Sequence, residues 1–300
     1  MVFRITFSNR IILCPFCGSN KIKFAYYSRW KTNETSNSLC FNCFSIFQNP
    51  PLTEISLKSI YDSPTYWDND KGNRYVYSNY IDQEEQYVYE SRRRLLLILE
   101  ALKTNNLKNK NILMIGCGPG FESKVLLNAG ANVLGIEPSR EMADFARKKF
   151  GLKVSVGMFE EITDLAQNSF DLVVTWGTSM NFLNPGIVYA KASLLLKPGG
   201  SLFFDFFDMA GPFHFLTYRK RKKAIHVTSA PSKEGITELL RKSNFNKIHF
   251  IKQYPYYSLS LIASQLDIQL FKWVSGYYPF KKIGMVVPFP GVNIVRAVKT

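Results

Sequence analysis

Short apolar runs alternate along this chain with stretches whose apolar residues recur every third or fourth position, and the alternation predicts a succession of strands and helices. Residues 112–115 are wholly apolar, as a parallel strand covered on both faces requires, and the run stops at glycines. Residues 121–129 have helical spacing with Gly130 as C-cap, and a second strand follows that closes at Glu137. Pro138 and Ser139 open a helix through Phe150, residues 153–156 make a third strand, and residues 169–176 make a fourth. A helix over 185–196, a turn at 197–200 and a fifth strand over 201–206 come next. Ser232 caps a helix to Ser243, and residues 247–254 and 292–298 read as the last two strands. Upstream, 54–61 and 84–102 are helical, the latter long enough to pack beside the first strand. The fold class is α/β, a Rossmann-like, mostly parallel sheet of seven strands.

Candidate chemistry gathers where the first strand stops. Gly116, Gly118 and Gly120 bring bare backbone close to a ligand, Pro119 fixes one φ between them, and Cys117 is a small packing residue within the loop. Glu137, twenty-one residues after Gly116, is placed to accept both hydroxyls of a ribose. Dinucleotide enzymes space their glycines G-x-G-x-x-G and set a pyrophosphate on the helix N-terminus; here the spacing is G-x-G-x-G.

That loop, with its strand, helix, second strand and acid, resembles the first motif of class I S-adenosylmethionine-dependent methyltransferases. The resemblance implies S-adenosylmethionine as cofactor, its amino acid end cradled by the loop and its ribose held beside Glu137 and Pro138. In that superfamily the loop after the third strand brackets the adenine, a role that falls here to Met158 and Phe159 against the ring and Glu160 at its amino edge. Thr175 and Trp176, at the carboxyl end of the fourth strand, should face the same crevice. The alternatives are a dehydrogenase and a non-catalytic domain of the same fold.

The cysteines add a second element. Cys14, Cys17, Cys40 and Cys43 form two C-x2-C pairs separated by twenty-two residues, the pattern of two knuckles presenting four thiolates to one structural zinc ion. Four thiolates leave zinc no open position, so scaffolding is expected, and redox chemistry is the lesser reading. Between the pairs, 21–27 alternates like a strand and 31–38 reads as a polar tip. The organisation expected is a zinc ribbon over 1–50, connector and lid helices over 51–105, and the cofactor-binding domain over 106–300 with an aromatic, helix-like substrate-side insertion at 254–290.

Three hundred residues at 46% apolar composition suffice for one catalytic domain with small additions. A run of the roughly 20 apolar residues needed to span a bilayer is missing, which makes a cytoplasmic location the expectation, with peripheral membrane contact left open. A net charge of +15, clustered at 92–94, 219–223 and 281–282, favours an acidic partner: nucleic acid, a phosphorylated carrier or nucleotide sugar, or an anionic surface.

The ribbon ending in Asn49-Pro50-Pro51, the tyrosine-rich connector over 66–89 and the glycine loop together resemble bacterial methyltransferases of cell-surface polysaccharide and deoxysugar pathways. The resemblance implies methyl transfer to a hydroxyl of a sugar, glycan precursor or similar small molecule, with an RNA methyltransferase as the alternative. One departure matters. Those proteins commonly carry Glu-His after the fourth strand, where this chain has Met180-Asn181. His226 is then the candidate base, with Asp205 and Asp208 as the next acids. The Asn-Pro-Pro tripeptide precedes the domain, and the signature of base-amino methyltransferases belongs after the fourth strand.

Overall fold

The computed structural model describes residues 5–8, 10, 12–30, 33–63, 80–208, 227–259, 283–286 and 292–300. An antiparallel hairpin, β1 (Ile22–Trp30) and β2 (Asn33–Cys40), opens the described chain and is followed by β3 (Ile46–Gln48). Helix α1 (Glu54–Tyr61) starts at Thr53, whose side chain accepts from the Ser56 N–H. Helix α2 (Glu84–Leu102) then leads into the alternating part: β4 (Asn111–Ile115), α3 (Phe121–Asn128), β5 (Asn132–Glu137), α4 (Arg140–Phe150), β6 (Lys153–Val156), β7 (Phe170–Thr175), α5 (Pro185–Leu195) and β8 (Leu196–Phe207). Last come β9 (Ser229–Ala230), α6 (Lys233–Lys242), β10 (Phe245–Lys252), β11 (Tyr256–Ser258), β12 (Gly284–Val286) and β13 (Val292–Lys299). Ser139, Asn184 and Ser232 cap the helices that follow them by accepting a backbone N–H at the first turn.

Seven strands form one sheet in the order β10-β13-β8-β7-β4-β5-β6. The pairs from β8 through β6 are parallel, and β13 runs antiparallel between β8 and β10. This is the Rossmann-like sheet that the hydrophobic runs predict. Strand order reverses at β4, so a crevice opens at the carboxyl ends of β4 and its neighbours. Both faces are covered. Ile98 of α2 packs with Ile112, Met114, Leu172 and Phe203 on one face, while Leu113, Val173 and Phe204 meet Val188, Tyr189 and Leu239 on the other.

The cysteine-bearing segment is built into the second of those cores. Cys14, Phe16, Cys17, Cys40, Cys43 and Phe47 belong to the same buried cluster as Val188, Ile236 and Leu240. A separate four-stranded sheet, β1-β2-β3-β9, takes its last strand from beyond β8.

Three local expectations are corrected. The polar tip expected over 31–38 lies mostly in β2, because Thr35 and Asn37 turn inward and the Asn37 amide donates to Ser28 Oγ at 2.9 Å. The turn at 197–200 is an irregularity within β8, whose pairing jumps from Phe170–Leu196 to Leu172–Ser201 with Gly199 at φ +74°. Tyr256–Ser258, within the insertion expected to be helix-like, is a strand that pairs with β12, and residues 260–282 and 287–290 of that insertion lie outside the described residues.

Candidate active site and metal centre

The glycine loop closes over the end of β5. Gly116, Gly118 and Gly120 sit at φ +70°, +52° and +88°, a region that costs a side chain dearly. The N–H groups of Gly116 and Cys117 donate to the Ile136 carbonyl at 2.8 and 3.0 Å. Glu137, next in line, is buried, and its two carboxylate oxygens accept from Gly118 N–H at 2.8 Å and Ser139 N–H at 2.9 Å. Burial pushes this carboxyl up to about 7 against the pull of those two donors.

A cleft partly open to solvent lies above the loop. Of the residues singled out from the sequence, Gly116, Gly118, Glu137, Pro138, Met158, Phe159, Glu160 and Trp176 line it. Glu160 is also raised by burial. Tyr61, Tyr80, Thr178, Asn181 and Phe182 complete the wall. Tyr80 is set in place by Tyr87, at 4.1 Å between ring centroids, and by Phe121 at 6.1 Å.

Cys117, Gly120 and Thr175 are absent from the lining, each for a packing reason. Cys117 fills the space left by Gly135, where a Cβ would come within 2.6 Å of its sulfur, and burial beside Glu137 raises the thiol well above its ordinary range. At Gly120 a Cβ would stand 3.0 Å from Ala146 Cβ, so this glycine lets α3 approach α4. Thr175 is fully buried in the sheet. His226 lies outside the described residues, as do 219–223 and 281–282. Asp205 has both oxygens occupied, one by Gly177 N–H at 2.6 Å and the other by Arg94 at 2.9 Å.

Arg94 is not part of a solvated basic patch. Its side chain is largely enclosed between Glu122 and Asp205 with the guanidinium 4.8 Å from the Trp176 ring centroid. Burial alone would lower its pKa, but the surrounding carboxylates raise it; Glu122 itself is pushed up to about 7 by burial. One ion network thus ties α2 to the turn after β7. The Asn49 amide pairs with both backbone groups of Ile12, a structural use of the Asn-Pro-Pro segment.

Lys191 on α5 is a further residue that sequence reading passed over. Its ammonium donates to the carbonyls of Phe159 at 2.5 Å, Glu160 at 3.1 Å and Ile162, and stands 4.8 Å from the Phe159 ring centroid. A lysine in a helix of otherwise ordinary composition gives no local sign of this role. Removing the charge should loosen the loop bearing Phe159 and Glu160. We expect Lys191→Met to weaken S-adenosylhomocysteine binding by roughly fivefold to tenfold, about 1 to 1.4 kcal/mol, measured by calorimetry.

Both cysteine pairs adopt the same knuckle. In the first, Gly18 at φ +78° donates to the Cys14 carbonyl at 2.8 Å; in the second, Phe44 at φ +59° donates to the Cys40 carbonyl at 2.9 Å. The Asn42 N–H points at Cys40 Sγ at 3.4 Å, and Ser45 Oγ lies 3.3 Å from Cys43 Sγ. All four sulfurs are buried and lie within 4.8 Å of one another, with Cys14–Cys43 and Cys17–Cys40 at 3.5 Å. No pair among them is a disulfide. A tetrahedral ion bound at about 2.3 Å requires sulfur separations of about 3.8 Å, so the donor set fits one soft, four-coordinate metal ion.

Comparison with known proteins gives the same class. Residues 113–204 match the family model described as a methyltransferase domain. Over 113 residues the chain is 35% identical to a ubiquinone biosynthesis O-methyltransferase of Actinobacillus pleuropneumoniae, covering 34% of this chain and 48% of that protein. The match therefore spans about half the length of that relative. Among solved structures, a phosphoethanolamine N-methyltransferase of Haemonchus contortus in complex with S-adenosyl-L-methionine covers 92% of this chain and 71% of its own at TM-score 0.55 and 13% identity. The magnesium protoporphyrin IX methyltransferase of Synechocystis, with bound S-adenosylhomocysteine, covers 83% of this chain and 100% of its own at 0.54 and 14%. The chain thus carries a methyltransferase domain with the class I, Rossmann-like fold. Among the described residues no helix is long and apolar enough to cross a membrane.

Proposed function

We propose that this protein transfers a methyl group from S-adenosylmethionine to a hydroxyl of a small molecule, with a sugar or glycan precursor as the acceptor class. The observation that carries the cofactor reading is the buried Glu137 carboxylate, held by the loop glycine Gly118 at the floor of a cleft whose far wall is the Met158–Phe159–Glu160 loop. The O-methyltransferase name of the relative supports a hydroxyl acceptor. The sugar class rests on the likeness of the cysteine ribbon and connector to polysaccharide-pathway enzymes. We further assign one structural zinc ion to Cys14, Cys17, Cys40 and Cys43.

The cofactor, when bound, supplies a methyl carbon activated by the adjacent sulfonium. The chain's task is to hold and orient. Glu137 accepts the ribose hydroxyls, Phe159 and Met158 flank the adenine, and the backbone at 116–118 meets the amino acid end. A hydroxyl acceptor needs a base within hydrogen-bond reach. We assign that role to His226, since Asp205 is engaged by Arg94 and Gly177.

Incubation with S-adenosylmethionine and a panel of nucleotide-activated sugars and glycan precursors should yield a product heavier by one methylene, read by mass spectrometry. Failure of the loaded protein to bind S-adenosylhomocysteine would overturn the proposal at its root. A pH effect is also expected. Ribose donors favour the ionised form of Glu137, whose carboxyl is raised to about 7 in the free protein, so binding must expel a proton below that pH. Affinity for S-adenosylhomocysteine should rise roughly tenfold from pH 6 to pH 8 and then level off, and Glu137→Gln should flatten the profile.

A further inference from the structure

The second cysteine knuckle is joined to the cofactor cleft by a continuous set of contacts that the sequence gives no reason to expect. At the knuckle end, Ser232 Oγ donates to the Cys43 carbonyl and the Ser232 N–H donates to Ser45 Oγ at 3.1 Å. Ser45 also supplies the carbonyl that receives the Cys40 N–H at 2.9 Å. Gly235, in the first turn of α6, has no room for a Cβ against Ser45 Oγ and Phe16, so the helix start is fitted to the knuckle. From there β3 carries the connection: Ile46 and Phe47 pair with Ala230 and Ser229, and Gln48 N–H donates to the Thr228 carbonyl at 2.9 Å.

Thr228 reaches the cleft. Its hydroxyl, which has one proton, lies 2.7 Å from the Phe182 carbonyl and 3.2 Å from that of Met180. Between those two carbonyls stands Asn181, which lines the cleft and donates its N–H to the Thr178 carbonyl at 2.8 Å. Thr178 in turn occupies the space against Gly116 of the glycine loop, where a Cβ would come within 2.5 Å of its hydroxyl oxygen. Thr228 itself is buried, so water cannot replace its contact without local opening.

From this we infer that Thr228 and Ser232 are positioning residues through which metal occupancy of the cysteine knuckles sets the turn at 178–182, making metal and cofactor bind cooperatively. The inference rests on the cofactor and zinc readings proposed above. A knuckle without its ion keeps only weak sulfur contacts, so β3, although still paired with β2, loses the constraint at its knuckle end, next to the segment that carries the Thr228 carbonyl. Packed interiors respond to such a loss in discrete rearrangements rather than graded ones. Linkage makes the effect reciprocal: whatever factor the metal contributes to cofactor affinity, the cofactor must contribute to metal affinity. Coupling of this kind commonly amounts to about fivefold to 150-fold.

The test uses the full chain, zinc-loaded and chelator-stripped, with metal content fixed by elemental analysis and S-adenosylhomocysteine affinity by calorimetry. Stripping should weaken binding by about tenfold, and saturating S-adenosylhomocysteine should raise zinc affinity by the same factor, read as an equilibrium competition with a chromogenic chelator. In Thr228→Val the zinc content should stay at the wild-type level while loaded-protein affinity falls and the coupling factor drops towards one; Thr228→Ser, which keeps the hydroxyl, should restore both. If the loaded protein also turns over, Thr228→Val should raise the KM for S-adenosylmethionine more than it lowers kcat. Equal affinity with and without zinc would overturn the inference alone. Loss of all S-adenosylhomocysteine binding in the loaded wild type would instead sink the methyltransferase reading. Should stripping unfold the chain, the zinc-loaded Thr228→Val protein decides: affinity equal to wild type ends the proposal, and weakened affinity rescued by serine sustains it.

Discussion

Replacing Glu137 by alanine is expected to weaken S-adenosylhomocysteine binding by about a hundredfold while the chain stays folded. Two hydroxyl donors to one buried carboxylate are worth roughly 1.5 to 3 kcal/mol each, and the lower bound for the pair already corresponds to about a hundredfold. Free protein should tolerate the change better than the complex does. Without the carboxylate, the Gly118 and Ser139 N–H groups lose their partner, but an acid held up to about 7 by burial is itself a strained occupant of that position. Calorimetry with the ligand and a thermal melt without it read the two effects separately. Unchanged affinity would remove Glu137 from the site.

The second large effect is expected at the cysteines. Protein purified without chelator should contain one zinc ion per chain, and Cys40→Ser should lower that content several-fold. Serine offers a poor ligand, and the three remaining thiolates cannot close a tetrahedron. Because Cys14, Cys17, Cys40 and Cys43 share a buried cluster with Val188, Leu239 and Leu240, the damage should not stay within the ribbon. A loss of about 5 kcal/mol should lower the melting temperature by roughly 10 °C, read by calorimetry or circular dichroism. Zinc-free wild-type protein with an unaltered melt would contradict the assignment.

Arg94 illustrates why composition misleads. Arg92, Arg93 and Arg94 look alike in sequence, yet Arg94 is enclosed between Glu122 and Asp205 while Arg93 joins Glu90 and the Tyr254 carbonyl. Charge counts record how many basic residues exist; only the helix face and its neighbours decide which of them reach solvent. A +15 chain can therefore spend part of that charge internally. The glycines teach a similar lesson. Gly116, Gly118 and Gly120 share a positive φ, but Gly120 answers to the closeness of α4 while Gly116 and Gly118 line the cleft.

What the sequence determined by itself is what short-range physics controls. Apolar runs at 112–115 and 172–174 can be satisfied only by strands covered on both sides, so the parallel sheet was legible. Ser139, Ser232 and Thr53 cap helices through bonds that span three residues, and the C-x2-C pairs form knuckles within five. The distance from Gly116 to Glu137 is one strand-helix-strand unit, which brought the acid to the loop in sequence as it does in space.

Tertiary structure alone decided the contacts between residues far apart in the chain. Lys191 meets the carbonyls of residues about thirty positions away, Ser232 meets Cys43 across 189, and Thr228 meets Phe182 across 46. No periodicity or spacing encodes such pairs, because a lysine, serine or threonine suits the surface of a helix or loop equally well. Their roles arise when β9 joins β3 and when α5 lies against the loop after β6, and those placements follow from how the two faces of the sheet are filled.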